Sequence, residues 1–308
     1  LQGREMILRD IQGLYPTLFQ VDEKNRQMLS GKRLLAASFR MNPKDHDGVM
    51  QEFCVEWGPL LAGYGGKLGF FSGDSAKTGF VEEDGVFSSP FAHFKNDEVQ
   101  ATRKRLFRQE DITDDELAVL TGEKKFEPRM DVGKPVKEIL LQKSAVKTAF
   151  EEACDKFKPD ALILENISLP LNLAFSLAVV EVANMRDLPV LAHHHDFWFE
   201  GKQRRIDYHI NPGENIEKLM KHIIKAPRRQ SIAVINSKQA RFIRELTRQD
   251  PVVAFNIRDF EHPIEYDAQK VEAVRKRVRL HEDDNILVLP VRSDKRKSLE
   301  KSVDFGLA

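Results

Sequence analysis

Cysteine is nearly absent, with only Cys54 and Cys154 among 308 residues. That count excludes a disulfide-stapled scaffold and suits a reducing compartment. A surplus of either charge is missing too. Lys and Arg number 48 and Asp and Glu number 48, so no net field draws the chain to nucleic acid or an anionic membrane. No apolar run approaches the roughly 20 residues that span a bilayer. The longest, residues 169–183, is interrupted by Asn172 and Glu181 and reads as a buried helix. A signal-peptide core is lacking, as is an initiator Met at Leu1. The expectation is a cytoplasmic globular protein, either processed or a fragment. GxGxxG and Walker patterns are also lacking, which argues against a nicotinamide or P-loop enzyme. No serine elbow, Cys–His pair or paired-carboxylate motif stands out.

What is present is an alternation of strands and helices. Residues 1–31 read as a helical N-terminal extension, with Ile7, Ile11, Leu14, Leu18 and Val21 at helical spacing and Pro16 as a break. RLLAASF at 33–39 is a short apolar strand, followed by a turn-rich loop, a helix from Val49 to about Leu61, and a second strand at 67–71. Together they make one βαβ unit. Residues 72–133 are less regular, with helices near 96–108 and 114–120. A long amphipathic helix at 135–157 leads into a strand at 161–164, a helix at 171–185 and a strand at 188–192. A helix near 216–224, a strand at 231–235, a helix at 238–247 and a strand at 252–255 follow. This predicts an α/β, Rossmann-like, open and mostly parallel sheet with helices on both faces. After a helix at about 267–278, the strand at 285–290 and the helix start at 297–307 open a fresh βα unit. One strand and part of a helix cannot bury a core, so a truncated second domain is expected.

Ligands of open α/β sheets bind outside the carboxyl ends of the strands. Three polar loops fall there. The first, residues 42–48, includes Asp47 and Gly48. A helix N-terminus there can bind an anion or a sugar hydroxyl, and Asp47 can equally be a plain helix cap. In the second, Glu165 and Asn166 suit hydroxyl recognition and N-capping alike. The third is LPVLAHHHDFWFE, ending in His193, His194, His195 and Asp196. Three imidazoles and a carboxylate are a metal-ligand set. Consecutive histidines on an extended segment alternate faces and cannot all meet one ion, however, so no metal is expected. One histidine can also be a buried structural residue. Polar groups beside Phe197, Trp198 and Phe199 fit a sugar site, and that reading is favoured.

The segment from Lys158 to Glu200, KPDALILENISLPLNLAFSLAVVEVANMRDLPVLAHHHDFWFE, resembles retaining glycosyltransferases of the GT-B fold. The branch it looks closest to is the bacterial, mannosylglucosylglycerate synthase-like part of glycosyltransferase family four. RLLAASFRMNPKDHDGVMQEFCVEW, LGFFSG, AVINSKQAR and FNIRDFEHP resemble the family's opening strand, loop and helix, its second strand, and the approach to its interdomain linker. The resemblance implies transfer of a sugar from a nucleotide-sugar donor to a small polar, polyol or saccharide acceptor, with retention and no metal cofactor. It implies His195 and Asp196 near the reacting sugar, with Asp47, Gly48, Glu165, Asn166 and His194 lining the acceptor cleft. VRSDKRKSLE resembles the family's R-x-x-x-x-K-G junction, which would put Arg292 and Lys297 on the donor diphosphate. Ser298 stands where the family usually has Gly, and the family's E-x7-E segment is not in this sequence.

The implied organisation is an extension at 1–31, an acceptor-side domain at 32–260, and a linker with the first βα unit of a donor-side domain at 261–308. Alone, this piece would be inactive. Two other readings stand beside the transferase. One is a non-catalytic binding module derived from a truncated transferase, and the other is a sugar-phosphate enzyme using the histidine cluster with a metal. Oligomeric state stays open, a homo-oligomer included.

Overall fold

A computed structural model describes residues 27–40, 58–74, 81–108, 111–199, 213–254, 268–277 and 279. The chain divides into two compact units, Leu1–Asn256 and Ile257–Ala308. In the second, the described element is one helix, α8 (Ala268–Arg277). The strand and helix expected beyond it, with Arg292 and Lys297, lie outside the described residues, as do most of the extension at 1–31 and the loop of Asp47 and Gly48.

In the first unit, β1 (Arg33–Ala37), α1 (Gly58–Gly63) and β2 (Lys67–Ser72) form the expected opening unit. β3 (Val81–Ser88), α2 (Asp97–Leu106), α3 (Asp114–Thr121) and α4 (Lys134–Phe157) follow. Then come β4 (Ala161–Glu165), α5 (Leu173–Met185), β5 (Val190–His194), α6 (Glu214–Lys225), β6 (Gln230–Val234), α7 (Ser237–Thr247) and β7 (Val252–Val253). The seven strands run in the order β3-β2-β1-β4-β5-β6-β7, and every neighbouring pair is parallel. The chain winds outward from β1 to β3, then returns beside β1 to wind the other way. The strand order therefore reverses between β1 and β4, and open α/β sheets take their ligands at the carboxyl ends beside such a reversal.

Period-two alternation decides what each sheet face buries. Leu35, Ala37, Leu162, Leu164, Val190 and Ala192 join the main core with α4, α5 and α6. Ala36, Ile163, Leu68 and Phe70 form a smaller cluster with Leu61, against which Leu191 packs. α5 is apolar on nearly every side and correspondingly buried, from Leu173 to Ala183. Its Phe175 stacks on Phe39 at 5.1 Å and on Phe71 at 6.3 Å, while Phe71 also meets Phe150 of α4 at 4.8 Å. Gly69 makes room for α4, since a Cβ there would lie 2.9 Å from Phe157 Cζ. Cys154 is a core residue of α4, its thiol pushed up to about 12 by burial. Among the described residues, no helix is long and apolar enough to cross a membrane.

β3 corrects the sequence reading of 72–133 as irregular. Its sequence VEEDGVFS carries Glu82, Glu83, Asp84 and Gly85 where alternating apolar residues would mark a strand. Pairing with β2 at one edge of the sheet makes the strand regardless.

Candidate functional site

The carboxyl ends of β4 and β5 lie side by side, with Glu165 in register opposite His193. Along each strand, alternate residues share a face. Glu165, His193 and His195 therefore project to the face of the smaller cluster, and His194 projects into the main core. Glu165 is completely buried, and its Oε1 is 3.1 Å from His193 Nδ1. Its Oε2 lies 3.5 Å from His195 Nε2. The two rings are tilted on each other with centroids 4.4 Å apart. Burial by itself would raise the Glu165 carboxyl. The charge of His193 and the hydrogen bonds of His193 and His195 outweigh it and bring the group down to about 2. Glu165 is thus held as a buried carboxylate beside the two imidazoles. His193 is 1% exposed and the His195 side chain 13%, so His195 is the open member.

The backbone of His195 is held from both sides. Its N–H donates to Asn166 Oδ1 at 2.8 Å, and its carbonyl accepts from Gln239 Nε2 at 2.9 Å. Asn166 sits in the left-handed region at φ 55°, which an asparagine tolerates better than most residues. Its own N–H donates to the His193 carbonyl at 2.8 Å, tying β4 to β5. Neither Glu165 nor Asn166 caps α5. That role belongs to Asn172, whose Oδ1 accepts from Phe175 N at 3.0 Å, so the capping alternative falls away. Gln239, which the sequence reading passed over, lies in the NSKQAR stretch whose Asn236 caps α7.

His194 occupies another environment. It is fully buried, packs on Phe197 with centroids 5.1 Å apart, and has Nδ1 3.0 Å from Ser168 Oγ. Burial is the largest cause that pushes its ring down to about 3, so it stays neutral in the core. The ring points to the opposite sheet face from Glu165. Phe197 and Trp198 are buried as well. They are 0% and 3% exposed and pack with Phe242 of α7 at 5.3 and 6.0 Å, leaving Phe199 as the open ring at 39%. Asp196 is half-buried at the start of this loop, and its carbonyl lies 3.5 Å from Ser168 Oγ.

A second polar group lies past the carboxyl ends of β1, β2 and β3, formed by residues with no recognisable motif. Asp74 Oδ2 lies 3.7 Å from Arg40 Nε and 3.5 Å from His93 Nε2. Elsewhere, a cavity of about 520 Å³ opens near the C-terminal turns of α3, α5 and α6, lined by Lys143, Glu181 and His222 among others. Those turns face the amino end of the sheet, away from the carboxyl ends of the strands. Glu181 is engaged there by Lys143 at 2.6 Å and by Lys147 at 2.5 Å.

Two relatives share partial sequence similarity with this chain. Over 116 residues it is 31% identical to mannosylglucosylglycerate synthase of Thermotoga maritima, covering 37% of the chain and 26% of that protein. Over 161 residues it is 24% identical to mannosylglucosylglycerate synthase of Petrotoga mobilis, covering 52% of the chain and 36% of that protein. The matched stretches are about a quarter to a third of each relative. No family model matches the chain. The α/β open parallel sheet agrees with the expected fold class.

Proposed function

We propose that this chain is the acceptor-side part of a retaining glycosyltransferase, moving a sugar from a nucleotide-sugar donor to a small polar or saccharide acceptor. The observation that carries the reading is the Glu165–His193–His195 cluster, buried beside the point where the strand order reverses. Its company is a sequence similar to two mannosylglucosylglycerate synthases. In this reading a glycerate-bearing acceptor is the first to try. Glu165 holds an ionised carboxylate against the two rings, and His195 presents a polarised edge to a sugar hydroxyl, with Asp196 beside it. Asn166 and Gln239 fix the His195 backbone, so its ring is positioned before substrate arrives, which is where such sites gain rate. Asp47 and Gly48 would complete the acceptor side. Arg292 and Lys297 would neutralise the donor diphosphate, with no metal needed there. A cytoplasmic setting fits the nucleotide-sugar donor.

The test is a transfer assay on the protein encoded by the whole gene. A panel of nucleotide sugars is offered with glycerate and glucosylglycerate, and nucleoside diphosphate release is followed. Acceptor-dependent release is expected, falling by about 100-fold or more in His195→Ala if the ring takes part in proton handling. No acceptor-dependent release with any pair, or full turnover in His195→Ala, sinks the reading.

A further inference from the structure

We propose that Glu165, His193 and His195 form a binding site for one divalent transition-metal ion, a use of the cluster that does not depend on sugar transfer. One ligand atom from each residue, two imidazole nitrogens and a carboxylate oxygen, lies within 4.8 Å of the others. Zinc bonds such atoms at about 2.0–2.2 Å, which sets tetrahedral ligands roughly 3.4 Å apart. Glu165 Oε1 is 3.1 Å from His193 Nδ1 and Glu165 Oε2 is 3.5 Å from His195 Nε2, so each ring already faces one carboxylate oxygen at about that spacing. Side-chain rotation would bring the three ligand atoms onto one ion.

The donor set selects the class of ion. Two imidazoles and one carboxylate suit zinc, iron(II) or cobalt(II), whereas magnesium and calcium prefer oxygen alone. The surroundings supply a reason for a cation to sit here. Glu165 Oε2 is buried and faces His195 Nε2 at 3.5 Å, the long limit of a hydrogen bond. A buried carboxylate requires a compensating positive charge, and the charges acting on Glu165 are those of His193 and His195. An ion bound by both rings would deliver that compensation at the same point.

The objection that consecutive histidines alternate faces removes only His194. Residues two apart on one strand share a face, and the register of β4 against β5 brings the carboxylate to them. Preorganisation comes from the clamp on the His195 backbone by Asn166 and Gln239. Three protein ligands leave at least one coordination position vacant, the arrangement of metal centres that handle a substrate oxygen rather than of purely structural ones. His195 is the least buried of the three ligands, with its side chain 13% exposed. A water, hydroxyl or carboxylate oxygen would fill the vacant position.

The experiment uses the full chain, stripped with EDTA and freed of chelator. Zn(II) binding is measured by calorimetry and Co(II) binding by visible absorption. Saturation at a single equivalent is expected, with cobalt bands of a site of low coordination number. His195→Gln and Glu165→Gln should each weaken binding by more than about 100-fold, because even outer-shell partners cost roughly 10–100-fold. His195→Gln sits at the least buried ligand, and circular dichroism verifies that it folds. A second readout needs no variant. In the wild type, Co(II) should perturb the ring resonances of His193 and His195 and spare those of His93 and His222. No saturable binding, equal affinity in a folded His195→Gln, or perturbation at His93 or His222 instead would overturn the site.

Discussion

Neighbouring side chains of β5 meet different surroundings, because the strand sends His193 and His194 to different faces. His194 meets an apolar core, and its ring is pushed from an ordinary 6.5 to about 3. A histidine with a lowered native pKa adds stability that is fully present above 6.5. It is lost progressively as pH falls toward the native value, since the unfolded chain takes up the proton first. His222, also lowered chiefly by burial, acts with the same sign. Glu165, lowered from 4.5 to about 2, adds a second loss below 4.5. Urea midpoints should therefore fall from pH 7 to pH 5, with the histidines responsible. His194→Gln should be less stable at pH 7, by about 1–3 kcal/mol for a disturbed buried hydrogen bond, yet show a flatter decline between pH 6.5 and 5. An unchanged slope would place the acid sensitivity elsewhere. The sequence displayed all the histidines but not their partners. Glu165 is remote from them in the chain, and only the register of β4 on β5 puts it opposite His193. What period two did make legible was that the three histidines could not act as one group.

At the scale of elements, helix ends show how local signals can mislead. α3 begins with a capping box readable in sequence, Thr113 bonding with Glu116, and Glu116 also accepts from Gly133 N at 2.6 Å. α6 begins at Gly213, which has no side chain to cap with. Asp111, just ahead of α3, reaches across instead. Its carboxylate accepts from Asn215 N at 2.9 Å, Ile216 N at 3.1 Å and Ile112 N at 2.9 Å. Desolvation opposes its ionisation, and these backbone donors still bring its pKa below the usual value. One carboxylate thus supports α6 and the approach to α3. Asp111→Ala should cost about 1 kcal/mol, the usual worth of a lost cap, with Asp111→Asn retaining part of it. Thermal melts check this, and equal melting of Asp111→Ala and wild type would show the contacts to be idle. No sequence rule finds such a cap, because its acceptor and most of its donors belong to different elements. Most other elements of the first unit were legible from periodicity and turn residues. β3 was not, since at a sheet edge the pairing rather than an apolar pattern makes the strand.

Across the whole molecule, the sheet explains why one loop of the sequence carries so much of the chemistry. The order β3-β2-β1-β4-β5-β6-β7 puts β1 and β4 at the reversal, with β5 next to β4. Residues at the carboxyl ends of those strands share one end of the sheet: Arg40 after β1, Glu165 and Asn166 at the close of β4, and His195 and Asp196 after β5. Gln239 of α7 completes the support. All of these belong to the first unit, Leu1–Asn256, which also contains both buried clusters. A continuous core of this kind supplies its own cooperativity, because compact units with their own core can fold alone. Among the described residues, the core clusters and the ties between β4, β5 and α7 are made within the first unit. A chain ending at Asn256 should therefore unfold in one cooperative urea transition, at the midpoint of the full chain and with the same His193 and His195 ring resonances. A shifted midpoint or a broadened transition would mean that the second unit, Ile257–Ala308, contributes to the stability of the first. Altered histidine resonances at an unchanged midpoint would locate that contribution at the histidine cluster itself.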